Sequence, residues 1–419
     1  MGGTKTTVMT SFQPSNDKPV SSHKGFYRKL PRDIWVLGFV SMFMDTSSEL
    51  VHSILPIFMA TTLGASMVTI GIIEGVAEAA AAIIKVFSGV LSDYFQKRKL
   101  LAVVGYGLAA LTKPIFPLAT SIEWVFGARF VDRIGKGIRG APRDALVAEI
   151  APAQLRGAAY GLRQALDSAG AFVGPLLAVA FMIWLANDIK AVLWVAVLPA
   201  FIAVFMLIVG VNEPESASHN APHRKLPLFY NARRLRLGYW LVVALGAVFI
   251  LARFSEAFLI LRAHDVGMAV GYVPVIMMVM NVVYSLFAYP AGAAADRFSA
   301  ITLLLWGLGI LIAADIALAI ATSPGIALLG AAFWGLHMAL TQGLLSKLVA
   351  DTAPDDLLGT AFGIFNLVSG GALLLASVIA GSVWSIFGAS ATFITGATFA
   401  AFAATGLLLY RFNARITFP

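Results

Sequence analysis

Twelve stretches dominated by apolar residues, each ended by a short polar or basic segment, account for most of this 419-residue sequence. A helix crosses a bilayer in ~20 residues. The stretches meet that length near 33–61, 66–92, 100–120, 122–140, 157–184, 189–211, 238–262, 270–292, 300–321, 324–349, 358–385 and 389–411. The pattern predicts an all-α membrane protein of twelve transmembrane helices.

The chain also repeats itself. Residues 146–161 (LVAEIAPAQLRGAAYG) return 202 positions later as 348–363 (LVADTAPDDLLGTAFG), and Gly89 and Asp93 return as Gly292 and Asp296. Solenoid repeats run ~20–50 residues, so the unit here is a whole bundle, and the spans divide into two pseudo-symmetric six-helix lobes. The expected organisation is a polar amino-terminal tail over 1–32, a first lobe over 33–211, a linker over 212–237, a second lobe over 238–411 and a tail over 412–419.

Composition sharpens this picture. Hydrophobic residues make up 59% of the chain and charged residues 12%, far from the ~25% charged residues of soluble domains. The net charge of +8 does not point to nucleic acid, because the basic residues lie in short connectors rather than on one folded face. Those connectors are KRK at 97–99, the run 133–143, the stretch 224–236, Arg297, and Arg411 with Arg415. Their common side predicts cytoplasmic termini in a multi-pass protein of the cell's inner (plasma) membrane. The first span carries Asp45, Glu49 and His52 and reads as retained rather than as a signal peptide. Without cysteine, disulfides, thiolate nucleophiles and Cys-ligated metals are excluded.

The loop between the second and third spans reads Gly89-Val-Leu-Ser-Asp93-Tyr-Phe-Gln-Lys97-Arg98-Lys99. It resembles the loop signature of the major facilitator superfamily at Gly89, Asp93, Arg98 and Lys99. It departs at Tyr94, where the family has a basic residue, and at Gln96, where it has glycine. Gly292, Asp296 and Arg297 echo the signature in the second lobe. The fifth span resembles the superfamily's antiporter motif at Gly161, Gly170, Gly174 and Pro175, with Ala178 and Val179 in place of the closing glycines. Arg129 matches the arginine of the fourth-span motif, with Arg133 where the family has glycine. The resemblance implies a secondary transporter working by alternating access, with the loops as a latch between lobes and a lean towards export. On physical grounds alone, the loop's basic residues suit anionic headgroups and the small residues of span five suit close helix packing.

Charge inside the spans carries the chemistry. An ionised side chain at mid-bilayer costs ~2.5–3.5 kcal/mol on insertion scales, so such groups pair or line a hydrated cavity. Asp45, Glu49 and His52 share one face of span one, and Glu74, Glu78 and Lys85 one face of span two. Arg129, Asp132, Arg133 and Lys136 do the same in span four. Arg163 with Asp167, and Arg253 with Glu256, have spacings that allow pairing within one helix. A carboxylate shielded from water holds its proton, and a guanidinium beside it releases it. Asp45, Glu49 and Glu78 moving relative to Arg129 would therefore couple protons to conformation, Asp45 and Glu49 first. Lys85, Arg129, Arg133 and Arg253 suit an anionic solute or metal chelate; if nearby acids neutralise them, the cavity suits an amphipathic solute. Asn281, His337 and Gln342 are candidate walls of the second lobe.

Gly135-Lys-Gly137-Ile-Arg-Gly140 fits GxGxxG but follows a helix, and no Walker spacing is present, so neither dinucleotide binding nor nucleotide hydrolysis is expected. Pro114, Pro175 and Pro290 are expected bends. The reading is a monomeric secondary transporter, most simply a proton-coupled exporter of a small solute, with no cofactor, no metal and no enzymatic activity. Its alternatives are proton-coupled uptake and, from other classes, an intramembrane metalloenzyme built on span one or a passive channel.

Overall fold

The computed structural model describes residues 30–95, 97–213, 234–295, 297–354 and 357–417, with the side chains of Val90, Leu91, Asp93, Tyr94 and Phe95 and those beyond Arg411 outside the description. Asp296, most of the tail 1–32 and most of the linker 212–237 also fall outside it. The described residues contain no strand. Their helices are α1 (Arg32–Ile57), α2 (Met67–Phe95), α3 (Arg98–Thr112), α4 (Ile115–Leu118), α5 (Ile122–Ile150), α6 (Arg156–Trp184), α7 (Ile189–Val195) and α8 (Val197–Gly210) in the first half. The second half has α9 (Leu237–Leu251), α10 (Ala257–Asp265), α11 (Val275–Ala295), α12 (Ala300–Ala319), α13 (Pro324–Thr341), α14 (Leu344–Thr352), α15 (Leu358–Phe387) and α16 (Ala389–Thr417).

Paired end to end where one span is interrupted, these make the twelve expected spans. Ten segments of the described residues are long and apolar enough to cross a membrane by composition alone. The charged fourth span and the interrupted seventh complete the set.

The interruptions have local causes. Pro114 lacks an N–H and ends the third span's first segment beside Lys113. The sixth span breaks at Ala196, whose carbonyl accepts a 2.6 Å hydrogen bond from Ser47 Oγ. The seventh breaks over 252–256, where the Ser255 N–H donates to Ser377 Oγ and Ser255 Oγ accepts from the Ala257 N–H, both at 3.2 Å. The tenth breaks at Gly343, whose φ of +76° is a left-handed conformation that favours glycine. Pro175 and Pro290, expected as bends, lie within continuous helices.

The fourth span extends to Ile150 rather than stopping near 140. Residues 133–143, expected as a basic connector, are therefore helical, and Arg133 and Arg139 are buried. Positive charge in sequence marks a membrane edge only when no acid inside the bundle claims it; here acids do.

Small residues set the helix approaches. A Cβ at Gly170 would lie 2.5 Å from the Met42 carbonyl oxygen, and one at Gly174 would lie 2.7 Å from that of Thr46, so α6 packs backbone to backbone on α1. Gly161 faces open space. Gly174→Val is expected to destabilise the protein severely, whereas Gly161→Ala should leave thermal stability within about 0.5 kcal/mol or raise it. Thermal unfolding of the two detergent-purified variants decides; equal stability would mean that α6 does not seat on α1 as described. Gly135 and Gly105 face each other across α5 and α3, and Gly137 lets α2 approach the other side of α5. Gly135 and Gly137 of the GxGxxG stretch are thus packing residues.

Among the described residues, the lobes pack along α2 and α15 from Met67 against Gly381 to Ala82 against Gly370, and along α6 and α11. One continuous core joins Leu50–Met59 positions of the first lobe, such as Ile54 and Phe58, to Phe258, Leu261 and Met277 of the second. Across this seam Gly71 of α2 touches the Ser377 carbonyl of α15, and Asn281 Nδ2 donates to the Ala171 carbonyl of α6 at 3.1 Å. Towards the end that carries Leu30, Val211 and Leu235, the core divides into one cluster per lobe. The described ends of the chain and of the linker lie on this face, termed the terminal face below.

Candidate functional site

The charges of the first lobe form two layers. In the inner layer, Arg129 of α5 is held by Glu74 of α2 through two hydrogen bonds, Nη2 to Oε2 at 2.6 Å and Nε to Oε1 at 3.1 Å, and the Glu74 residue is fully buried. Beside it Lys113 donates to Asp132 Oδ1 at 2.9 Å and to Ser48 Oγ at 3.2 Å, with both charged residues buried. These pairs lock α5 to α2 and to the third span. A bidentate guanidinium–carboxylate contact is the strongest arrangement available to such a pair.

The outer layer keeps contact with solvent. Arg133 Nη2 is 3.1 Å from Glu78 Oε1, whose side chain is 29% exposed. Arg139 lies with its Cζ 4.8 Å from the Tyr106 ring centroid and its Nη2 3.8 Å from Asp45, whose side chain is 26% exposed. Glu49, 20% exposed, lies 3.8 Å from His52 Nδ1. Nearer the terminal face, Arg163 bridges Asp144 and Asp167 at 3.2 Å each, and Arg143 joins Asp144 at 3.2 Å and Ser41 Oγ at 3.1 Å.

The second lobe contributes from its interruptions. Glu256 stands within electrostatic reach of Glu49, Glu78 and His52 of the first lobe. Arg253 stands within reach of Glu256 and Tyr284, and Tyr284 donates to Gln342 Oε1 at 2.6 Å. Lys136 is exposed and within reach of Arg133, Glu78, Glu49 and Asp45. Partly exposed charged groups of both lobes within reach of one another mark a polar space between the lobes, at the level where the shared core gives way to one cluster per lobe.

Several expectations are corrected by this geometry. Arg129 is the partner of Glu74, not of Glu78, Asp45 or Glu49, and Glu74, Arg129 and Asp132 are sealed inside the lobe rather than lining the space. Arg253 and Glu256 do not pair along a helix, because the backbone is interrupted between them. His337 is fully buried, stacked on Phe249, with Nδ1 2.8 Å from the Gly307 carbonyl, so it packs rather than lines. Asn281 is occupied by its bond across the seam. Lys85 sits apart, exposed beside Gly140.

In the latch motif, Gly89 makes ordinary contact with Ala141. Arg98 reaches Glu149 and the Lys99 Nζ the Ile208 carbonyl, both within the first lobe, while the Lys99 N–H donates to Glu213 Oε1 at the start of the linker. Gly292 and Arg297 are exposed.

Sequence reasoning missed Lys113, Arg139, Arg143 and Asp144. Lys113 is a lone lysine before a proline inside an apolar stretch, a signal that was available. The other three were hidden by the shortened fourth span. Among the described residues no group of three or more His, Asp or Glu side chains is placed to hold a metal.

Two helical lobes that share one core, with charged groups of both facing one another where that core divides, are the architecture of a membrane carrier. The chain belongs to the Major Facilitator Superfamily, whose profile matches residues 34–280 and 257–415. Its similarity to an uncharacterized MFS-type transporter of Methanocaldococcus jannaschii is 32% identity over 91% of this chain and 95% of that protein. A probable 4-methylmuconolactone transporter of Cupriavidus pinatubonensis is 26% identical over 49% of each chain. Among solved structures, the nucleoside transporter NupG shares the fold with a TM-score of 0.75 at 13% identity, covering 90% of this chain and 99% of that one. A bacterial homolog of the human lysosomal transporter Spinster does so with a TM-score of 0.70 at 17% identity over 93% and 97%. The protein is thus a multi-pass membrane transporter of this superfamily, a family of carriers and not of enzymes.

Proposed function

We propose that this transporter is a monomeric proton-coupled antiporter that exports a small solute across the cell's inner membrane, with the terminal face cytoplasmic. The lobes over 33–211 and 238–411, joined by the linker 212–237, rock about the space between them. The observation that carries the reading is the set of acids reaching that space from both lobes: Asp45, Glu49 and Glu78 from one, Glu256 from the other. When rocking changes the access of such a carboxylate to water and its distance from a cation, its proton affinity changes, which is what coupling requires.

The charge balance bears on the solute. Arg133, Arg139, Arg143 and Arg163 are all matched by acids. Lys136 and Arg253 have no ion pair among the described residues, and they are offset by Glu49 and Glu256. A near-neutral cavity suits a neutral or zwitterionic amphipathic solute. The second reading, uptake of a small anion or chelate, draws on Lys136 and Arg253 as the solute's counter-charges.

Proteoliposomes with an acidic lumen and a clamped membrane potential separate these readings. A gradient of one pH unit holds about 1.4 kcal/mol per proton, so one-for-one exchange sustains about tenfold accumulation of an uncharged solute. In a panel headed by 4-methylmuconolactone and nucleosides, antiport concentrates a solute on the acid side and moves protons out. Accumulation on the alkaline side would instead establish symport, and flux indifferent to the gradient would remove proton coupling altogether.

A further inference from the structure

Asp315 of α12 has no place in the site above. It is fully buried, and no protein donor reaches either carboxylate oxygen. Its surroundings are aromatic. A Cβ at Gly396 of α16 would lie 2.7 Å from Asp315 Oδ2 and 2.9 Å from the Phe254 ring, so only a glycine leaves room for the carboxyl group there. Phe254 in turn contacts Trp334 and Phe393 at 5.5 Å between ring centroids, and Trp334 Nε1 is itself buried without an acceptor.

No charged group compensates Asp315. On α13 the titratable group is His337, directed to the Gly307 carbonyl. On α10, Arg262 donates to the carbonyls of Leu318, Ala319 and Ala321 and pairs with Asp265, while His264 faces the Met268 carbonyl. Lys347 and Asp351 of α14, Tyr284 and Tyr289 of α11, and Tyr410 and Arg411 of α16 make no hydrogen bond or ion pair with Asp315, and neither do Arg253 and Glu256 in the interrupted span. An ionised carboxylate without a donor costs far more than a neutral acid in such a place.

The pocket lies behind the closed seam. Phe254 packs edge-on against Phe258 at 5.6 Å, and Phe258 Cζ rests 3.4 Å from where a Gly71 Cβ would stand on the opposite lobe. The Ser255 N–H is bound to Ser377, whose carbonyl touches that same glycine. The backing of Phe254 thus depends on contacts that cross from one lobe to the other. Phe254 also belongs to the interruption that carries Arg253 and Glu256 to the central space.

We propose that Asp315 is a second proton-binding site, carrying its proton while the seam is closed and exchanging it with water on the far side of the membrane when the seam opens. The inference rests on the protein being a two-state carrier, as read above, and not on the identity of the solute. The step is a simple transfer: the carboxylic O–H gives its proton to entering water, and the same carboxylate takes one back before the seam closes.

Infrared difference spectroscopy of the purified protein at neutral pH tests it. The wild type is expected to show a carboxylic-acid C=O band that is lost in Asp315→Asn and kept, displaced, in Asp315→Glu. Because the chain has no cysteine, the seam can be tied by Asn187→Cys with Gly271→Cys. Asn187 Oδ1 already lies 2.5 Å from the position of a Gly271 Cβ. Oxidising that pair should slow deuterium exchange of the band roughly tenfold or more, reversibly on reduction.

A band unchanged in Asp315→Asn overturns the site, and exchange equally fast with the seam tied overturns its gating. A band that behaves as expected in a protein that moves no protons with any solute leaves this site standing and removes the antiport reading instead.

Discussion

Arg129→Met will cost the folded protein about 3–5 kcal/mol, because it strands a fully buried Glu74 carboxylate without either of its hydrogen-bond donors. Both oxygens of Glu74 are engaged by the one guanidinium, and neither side chain retains meaningful exposure. The single variant should therefore show a sharply lowered unfolding temperature in detergent, or fail to accumulate as a monodisperse species in size-exclusion chromatography. The double variant Glu74→Leu with Arg129→Met should recover much of the loss, since apolar replacements of similar volume for a buried pair are often neutral or better. A single variant as stable as the wild type would show that the pair does not form. A double variant no better than the single would show that the pair's worth is not mutual.

Asp45→Asn and Glu49→Gln form the second large effect. Each keeps shape and hydrogen-bonding capacity but cannot exchange a proton, so gradient-driven accumulation should fall from about tenfold per pH unit to none. Solute-for-solute exchange, which needs rocking but no proton, should persist. The contrast separates a proton carrier from a structural residue, because loss of structure would remove both activities. Asp45 is in loose contact with Arg139 and Glu49 with His52, so each carboxylate sits inside an existing network. If both variants still concentrate solute, coupling belongs to Glu78, Glu256 or Asp315 instead.

Much of this architecture is legible in the sequence, for a physical reason: a helix in lipid must be apolar over a fixed length. The sixth span, expected over 189–211, runs over Ile189–Gly210. The i, i+4 pairing of Arg163 with Asp167 follows from helical spacing and is present. The close approach of Gly170 and Gly174 to α1 follows from residue size.

What eluded the sequence is partner choice. Glu74 and Glu78 occupy the same face one turn apart, and spacing alone does not say which one meets Arg129. The break at 252–256 carries no proline, whereas two prolines in other spans leave their helices continuous, so the interruption comes from tertiary hydrogen bonding through Ser255 and Ser377. The length of α5 was hidden because arginines at a membrane edge and arginines answered by acids across a helix interface look alike in one dimension. Asp315 was overlooked because it is a single acid in an otherwise apolar span, with no companion to form a pattern.

The half-chain duplication gives this division of charge a further meaning. Counting 202 positions on from Arg129, Asp132, Arg133 and Lys136 arrives at Ala331, Trp334, Gly335 and Met338. At these four places the first lobe carries ionisable groups and the second carries small or apolar ones. The two halves thus hold their helices together differently, the first by buried ion pairs and the second by apolar and aromatic packing at the matching positions. Substitutions at Ala331, Trp334, Gly335 and Met338 therefore meet an apolar setting, where an introduced charge would find no partner of the kind that its counterpart has in the first half.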